Sequence, residues 1–191
     1  MQKNNCKNLM RLFVRHFGQL VLLVCLSVLG YNTNVLADPP YSNGNGDGSI
    51  LSPWEIETLQ DWNDFANDIN TGYYPNGAAV VYFKLTADIG SAQYPCTTMV
   101  GDVSNPFKGN FDGNFHTVNL EIIAINSNSN IIFTGLFGRT SNAVIENLTV
   151  RGKITSTCTG TVCIGGIVGK LNYTNFSEKI LIQNCYNKIK L

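Results

Sequence analysis

The chain has 191 residues, 13 basic and 13 acidic side chains and no net charge. Charge this balanced and scattered offers no basic patch, which excludes nucleic acid as the expected partner. The richness in Asn, Gly, Thr and Ile beyond the N-terminal segment suits strands and tight turns facing water, and excludes a helical bundle.

The N-terminal segment has the parts of a cleavable signal peptide. Lys3, Lys7, Arg11, Arg15 and His16 make a basic start, residues 20–29 (LVLLVCLSVL) form an apolar run, and Gly30 breaks it. Val35 and Ala37 then stand at −3 and −1 before Asp38, so residues 1–37 read as a signal cleaved after Ala37. The apolar run falls short of the roughly 20 residues a spanning helix needs, which favours export over an uncleaved anchor. Val24 precedes Cys25 where lipidation requires a smaller residue. No other segment is apolar enough to span a membrane. Cleavage leaves 154 residues (191 − 37), one domain by length, with a charge of −4 (9 − 13). The expected location is secreted or on the cell surface.

Residues 38–49, opening DPPYSNGNGDG, read as a linker. Residues 50–77 read as an N-terminal cap, with a short strand at Trp54, Glu55 and Ile56 and a helix over about 58–70. Leu59, Trp62, Phe65, Ala66 and Ile69 recur at helical spacing on one face, with Asp61, Asp64, Asn67 and Asp68 on the other. Thr58 is the expected N-cap and Gly72 the stop. Over residues 78–191 helix signals vanish and strand-like runs (80–85, 117–125, 143–150 and 180–186) alternate with Gly, Asn and Asp turns.

Internal repeats point to a solenoid. Val118-Asn119-Leu120, Ile145-Glu146-Asn147-Leu148 and Ile182-Gln183-Asn184-Cys185 share an Asn followed by an apolar residue, with gaps of 28 residues (119 to 147) and 37 (147 to 184). In stacked coils Asn119, Asn147 and Asn184 form an amide ladder, and Cys185 takes the buried slot of Leu120 and Leu148. A second frame, Gly-apolar-apolar-Gly, recurs at Gly135–Gly138 and Gly166–Gly169, 31 residues apart. Its glycines allow a tight bend before an inward-facing strand.

Gly135-Leu136-Phe137-Gly138 resembles the GLUG motif, Gly-Leu-any-Gly, and Gly166-Ile167-Val168-Gly169 resembles its Gly-Ile-Val-Gly form. Residues 106–118 (PFKGNFDGNFHTV) resemble the Phe-x-Gly-x-Phe-Asp-Gly-x-x-His block that precedes it, and residues 83–89 (FKLTADI) the strand before that. The chain is thus similar to GLUG-motif secreted and surface proteins over about residues 50–187. The resemblance implies an all-β fold, a right-handed parallel β-helix with a short N-terminal capping α-helix. It implies an adhesin-like role and carries no catalytic residue within the repeat. Members continue for more coils, so the resemblance implies either a truncated piece of a longer surface protein or end-to-end association through an open C-terminal solenoid end.

Chemistry-bearing residues are few. Cys158 and Cys163 flank Thr-Gly-Thr-Val, a short loop suited to a disulfide outside the cell, with two unpaired thiols as the other reading. Asp88, Asp102, Asp112, Glu121 and Glu146 are the acids a carbohydrate-active enzyme could use, although turn capping explains Asp112 within Phe-Asp-Gly-Asn. His116, the one histidine past the signal, cannot build a zinc site, and residues 43–48 lack the final acidic ligand of a calcium loop. No metal or cofactor is expected. Tyr73, Tyr74, Tyr82, Tyr94, Phe107 and Phe115 could line a sugar face or pack the core. Asn147, Asn172 and Asn175 begin glycosylation sequons. The leading expectation is a non-catalytic adhesive module for an extracellular ligand, a glycan or a host or matrix protein. The alternatives are a polysaccharide lyase or glycoside hydrolase of similar fold and an inactive fragment.

Overall fold

The structure, a computed structural model, describes residues 45–73, 80–124, 131–158, 161–172 and 180–191. The signal, most of the linker and Tyr74 lie outside the described residues. The described part is all-β apart from one helix, and every strand pairing in it is parallel.

The helix, α1, spans Leu59–Thr71. Thr58 Oγ1 accepts the Asp61 N–H at 3.0 Å, and the Asp61 carboxylate accepts the Thr58 N–H at 2.8 Å, a reciprocal capping box. Gly72 ends the helix in the left-handed region at φ 81°. Trp62, Phe65, Ala66 and Ile69 are buried, as their spacing predicts. Segment 98–105 straps the helix down. Trp62 Nε1 donates to the Thr98 carbonyl (3.0 Å), Asn70 Nδ2 to the Met99 carbonyl (2.9 Å), and the Gly101 N–H to Asn70 Oδ1 (2.7 Å).

Strands β1 (Trp54–Ile56), β2 (Tyr82–Leu85), β3 (Asn110–Asp112), β7 (Val144–Glu146) and β11 (Leu181–Gln183) form one sheet in that order. β4 (Thr117–Ala124), β8 (Thr149–Ser156) and β12 (Tyr186–Lys190) form a second. β6 (Phe137–Ser141) pairs with β10 (Val168–Asn172), and β5 (Ile131–Thr134) with β9 (Thr161–Ile164). Equivalent strands recur at intervals of 28 (82 to 110), 29 (54 to 83), 30 (131 to 161), 31 (137 to 168), 32 (117 to 149), 34 (110 to 144) and 37 residues (144 to 181).

Inward positions build one core. Phe65 and Trp62 from α1 meet Phe83, Phe107, Phe111 and Phe137, with ring centroids 4.5–6.2 Å apart and mostly edge-on or tilted. Burial fades along the stack: at facing positions Phe111 is 0%, Ile145 1% and Ile182 40% exposed.

Two expected strands each divide. The run 143–150 breaks into β7 and β8 at Asn147 (φ 54°), and the run 180–186 into β11 and β12 at Asn184 (φ 51°). Asn tolerates this left-handed conformation, so each Asn turns a corner rather than continuing a strand. Among the described residues no helix is long and apolar enough to cross a membrane.

Candidate functional site

The two Gly-apolar-apolar-Gly frames lie directly against each other. Phe137 faces Val168, and the Leu136 and Phe137 N–H groups donate to the Gly166 and Ile167 carbonyls at 3.2 and 2.8 Å. None of Gly135, Gly138, Gly166 and Gly169 has a positive φ. Their need for glycine is close approach, not a bend: a Cβ on Gly135 would meet the Gly165 carbonyl oxygen at 2.6 Å, and one on Gly138 the Gly101 oxygen at 2.6 Å.

The expected Asn ladder is shorter and differently rooted. Asn184 Nδ2 donates to Asn147 Oδ1 at 3.1 Å, and Asn147 Nδ2 donates to Asp112 Oδ1 at 2.9 Å. Asn119 is not on this column. It faces Arg151 and donates to the Gly90 carbonyl at 3.0 Å. The cause is position: Asn119 is the third residue of β4, whereas Asn147 and Asn184 are the first corner residues after β7 and β11. Leu120 likewise faces Gly152 rather than standing over Leu148. Cys185 follows Leu148, but it is only half-buried.

Cys96, Cys158, Cys163 and Cys185 are free thiols, and the expected Cys158–Cys163 bond is not formed. Cys158 Sγ lies 3.3 Å from the Ala124 carbonyl oxygen, turned to the neighbouring strand end, while Cys163 sits within β9 opposite Phe133. Burial pushes the Cys96 thiol up to about 12 and raises that of Cys185.

The acids act mainly as acceptors. Asp112 Oδ1 takes the Asn114 N–H (2.8 Å) besides Asn147. Asp102 Oδ1 takes the Ser104 and Asn105 N–H groups at 2.8 and 2.7 Å. Asp88 Oδ1 takes the Thr117 N–H (2.8 Å) and pairs with His116 Nδ1 at 3.2 Å. Glu146 Oε2 takes Gln183 Nε2 at 2.5 Å. Glu55, Lys84, Asp112, Glu146 and Gln183 line up in register on the outward face of the first sheet. Asp112 and Glu146 are therefore neighbours on one flat face, whereas glycoside hydrolysis sets two carboxyls on either side of the scissile bond. The Ser49 hydroxyl, and then the Ser49 N–H that Asp47 Oδ1 accepts, lower the Asp47 carboxyl below its usual range. Among the described residues no cluster of ligating side chains fits a metal ion.

Asp68 departs from its expected place on the wet face of α1. Its Oδ2 is shut away from solvent with no donor. Burial, and then the neighbouring Asp64 carboxylate, raise its carboxyl to about 6. A folded-state value above the unfolded one favours the protonated form. The resulting stability is present below the ordinary carboxylate range and is lost as pH rises through about 6. Asp68→Asn is therefore expected to stabilise the fold at about pH 7 by roughly 1 kcal/mol, allowing for partial exposure, and to do little near pH 4. Urea melts of both proteins at the two pH values measure this; an equal effect at both would refute it.

The aromatic side chains divide. Phe107 is core, Tyr73 and Tyr82 are half-buried, and Tyr94 and Phe115 are exposed, Phe115 at a left-handed φ of 64°. Of the sequons, Asn147 uses its amide in the ladder, and the stretch 173–179 lies outside the described residues.

One array escaped the linear reading. On the outward face of the second sheet Asn119 faces Arg151, which faces Lys188; Glu121 faces Lys153, which faces Lys190; and Thr117 faces Thr149, which faces Tyr186. Four of the nine cations beyond Ala37 thus share one surface, all exposed, so the scattered charge does form a basic patch. Register assembles it by setting residues 37 apart face to face (151 with 188, 153 with 190), and no local run announces it.

A scan against family models finds no match to this chain, and comparisons with curated proteins and with solved structures find none either.

Proposed function

We propose that the protein is a secreted or cell-surface module, a right-handed parallel β-helix closed at its N-terminal end by α1, that binds an extracellular ligand without catalysis. The fold part of this reading draws support from parallel strands recurring at 28–37 residues and from the stacked glycine frames, which are also what a GLUG-motif repeat would require. Export rests on the signal-like residues 1–37, and it suits a ligand outside the cell, a glycan or a host or matrix protein.

One observation carries the choice of binding over catalysis. Asp88, Asp102 and Asp112 each accept backbone N–H groups and so hold turns in place, while the sheets present flat, regularly spaced polar faces. The test is a glycan array run beside a reducing-sugar release assay on a polysaccharide panel. The expected result is retention of a ligand with no product. Product released from any polysaccharide would overturn the non-catalytic reading in favour of a lyase or hydrolase built around Asp112 and Glu146.

A further inference from the structure

We propose that the outward face of the β4–β8–β12 sheet binds a linear anionic polysaccharide, a chain of uronate or sulfated sugars. This rests on the ligand-binding reading above and names the ligand's class.

Arg151, Lys153, Lys188 and Lys190 form a two-by-two block. Neighbours across strands have backbones about 4.8 Å apart, and neighbours two residues apart along a strand about 6.7 Å. Both pairs across β8 and β12 set like charge directly against like charge, an arrangement that destabilises a sheet. Glu121 stands opposite Lys153, while Arg151, Lys188 and Lys190 face no carboxylate on a paired residue. Glu121 and Asp88 lie toward β4, leaving the face acidic at one side and basic at the other. A bound polyanion relieves the repulsion.

The geometry favours a sugar chain over other polyanions. A linear chain crossing the strands meets a cation at each step from β8 to β12. Tyr186, 64% exposed and two residues before Lys188 on the same face, offers a ring against which the apolar side of a sugar packs while its hydroxyl bonds. Single-stranded nucleic acid stacks on successive aromatics, and this face has one among the described residues. Duplex binders make about six to ten phosphate contacts, more than four cations supply. A membrane site needs apolar side chains to insert, whereas the rim is Thr117, Thr149 and Thr155, with Ile123 alone beside Thr155.

The test titrates the exported protein with dextran sulfate and with polygalacturonate, against neutral dextran, duplex DNA and anionic lipid vesicles, at about 0.15 M salt. Binding to at least one polysaccharide polyanion is expected to be about tenfold or more tighter than to dextran, and to weaken as salt rises. Lys188→Gln with Lys190→Gln should lose about tenfold, and Lys188→Arg with Lys190→Arg should retain binding. Arg151→Gln on the central strand should reproduce the loss and serves if the first pair fails to fold. Equal binding to dextran, an unaffected Gln pair, or tighter binding to DNA or vesicles overturns the proposal. Neutral glycans held while polyanions are ignored would sink this inference alone; no ligand retained at all would sink the ligand-binding reading with it.

Discussion

Replacing Trp62 with alanine is expected to cost about 3–5 kcal/mol, a large part of the roughly 5–15 kcal/mol that holds a domain folded. Trp62 is fully buried and touches Phe65, Phe111 and Phe137 edge-on, at 5.6, 5.8 and 6.2 Å. Truncation removes that area, leaves a cavity between α1 and the strands, and orphans the Thr98 carbonyl that accepts its Nε1–H. The damage reaches beyond the helix, because Phe111 lies on β3 and Phe137 on β6. Urea unfolding followed by far-ultraviolet circular dichroism checks this. Trp62→Phe, which keeps a ring and loses the hydrogen bond, should fall by about 1–2 kcal/mol. An alanine variant within about 1 kcal/mol of the parent would mean the helix is not seated on the core as described.

Alanine at Gly169 is the second large expected effect, about 2–3 kcal/mol from overpacking. Its backbone conformation is one any residue adopts, so strain in φ is not the cause. A Cβ there would meet the Thr134 nitrogen at 2.6 Å and the Gly138 and Thr134 carbonyl oxygens at 2.8 Å. These are backbone atoms of neighbouring strands, and they cannot turn aside as a side chain can. Gly72→Ala makes the contrast. Its Cβ would meet the Asn105 side chain, and its penalty comes from the left-handed φ of 81°, about 1 kcal/mol. A Gly169→Ala protein with an unchanged urea midpoint would show that the two frames do not stack.

What was legible in the sequence follows from which signals are local. The helix was readable because its cap at Thr58, its stop at Gly72 and its apolar stripe all lie within fifteen residues of one another. The glycine frames were found as a repeat and do stack, though for a reason of space that spacing alone does not reveal. The Asn column was half right. An Asn flanked by apolar residues describes both a strand position at Asn119 and a corner at Asn147, and Asn119, being inside β4, faces Arg151, four positions beyond Asn147. Cys158 and Cys163 are close in sequence, yet Cys158 lies two residues past the end of β8 and Cys163 lies within β9. The basic face was invisible because its members are brought together only by pairing.

The fading of burial from Phe111 through Ile145 to Ile182 means that the described strands are unequally buried. Strands near α1 are locked by an aromatic core. Ile182 on β11 and Tyr186 on β12 are exposed, so this side of the two sheets buries less apolar surface. Lys188, Lys190 and Tyr186 ride on β12, and Arg151 and Lys153 on β8 beside it. A ligand spanning β8 and β12 would act as a clasp, so that its occupancy and the order of that strand pair rise together.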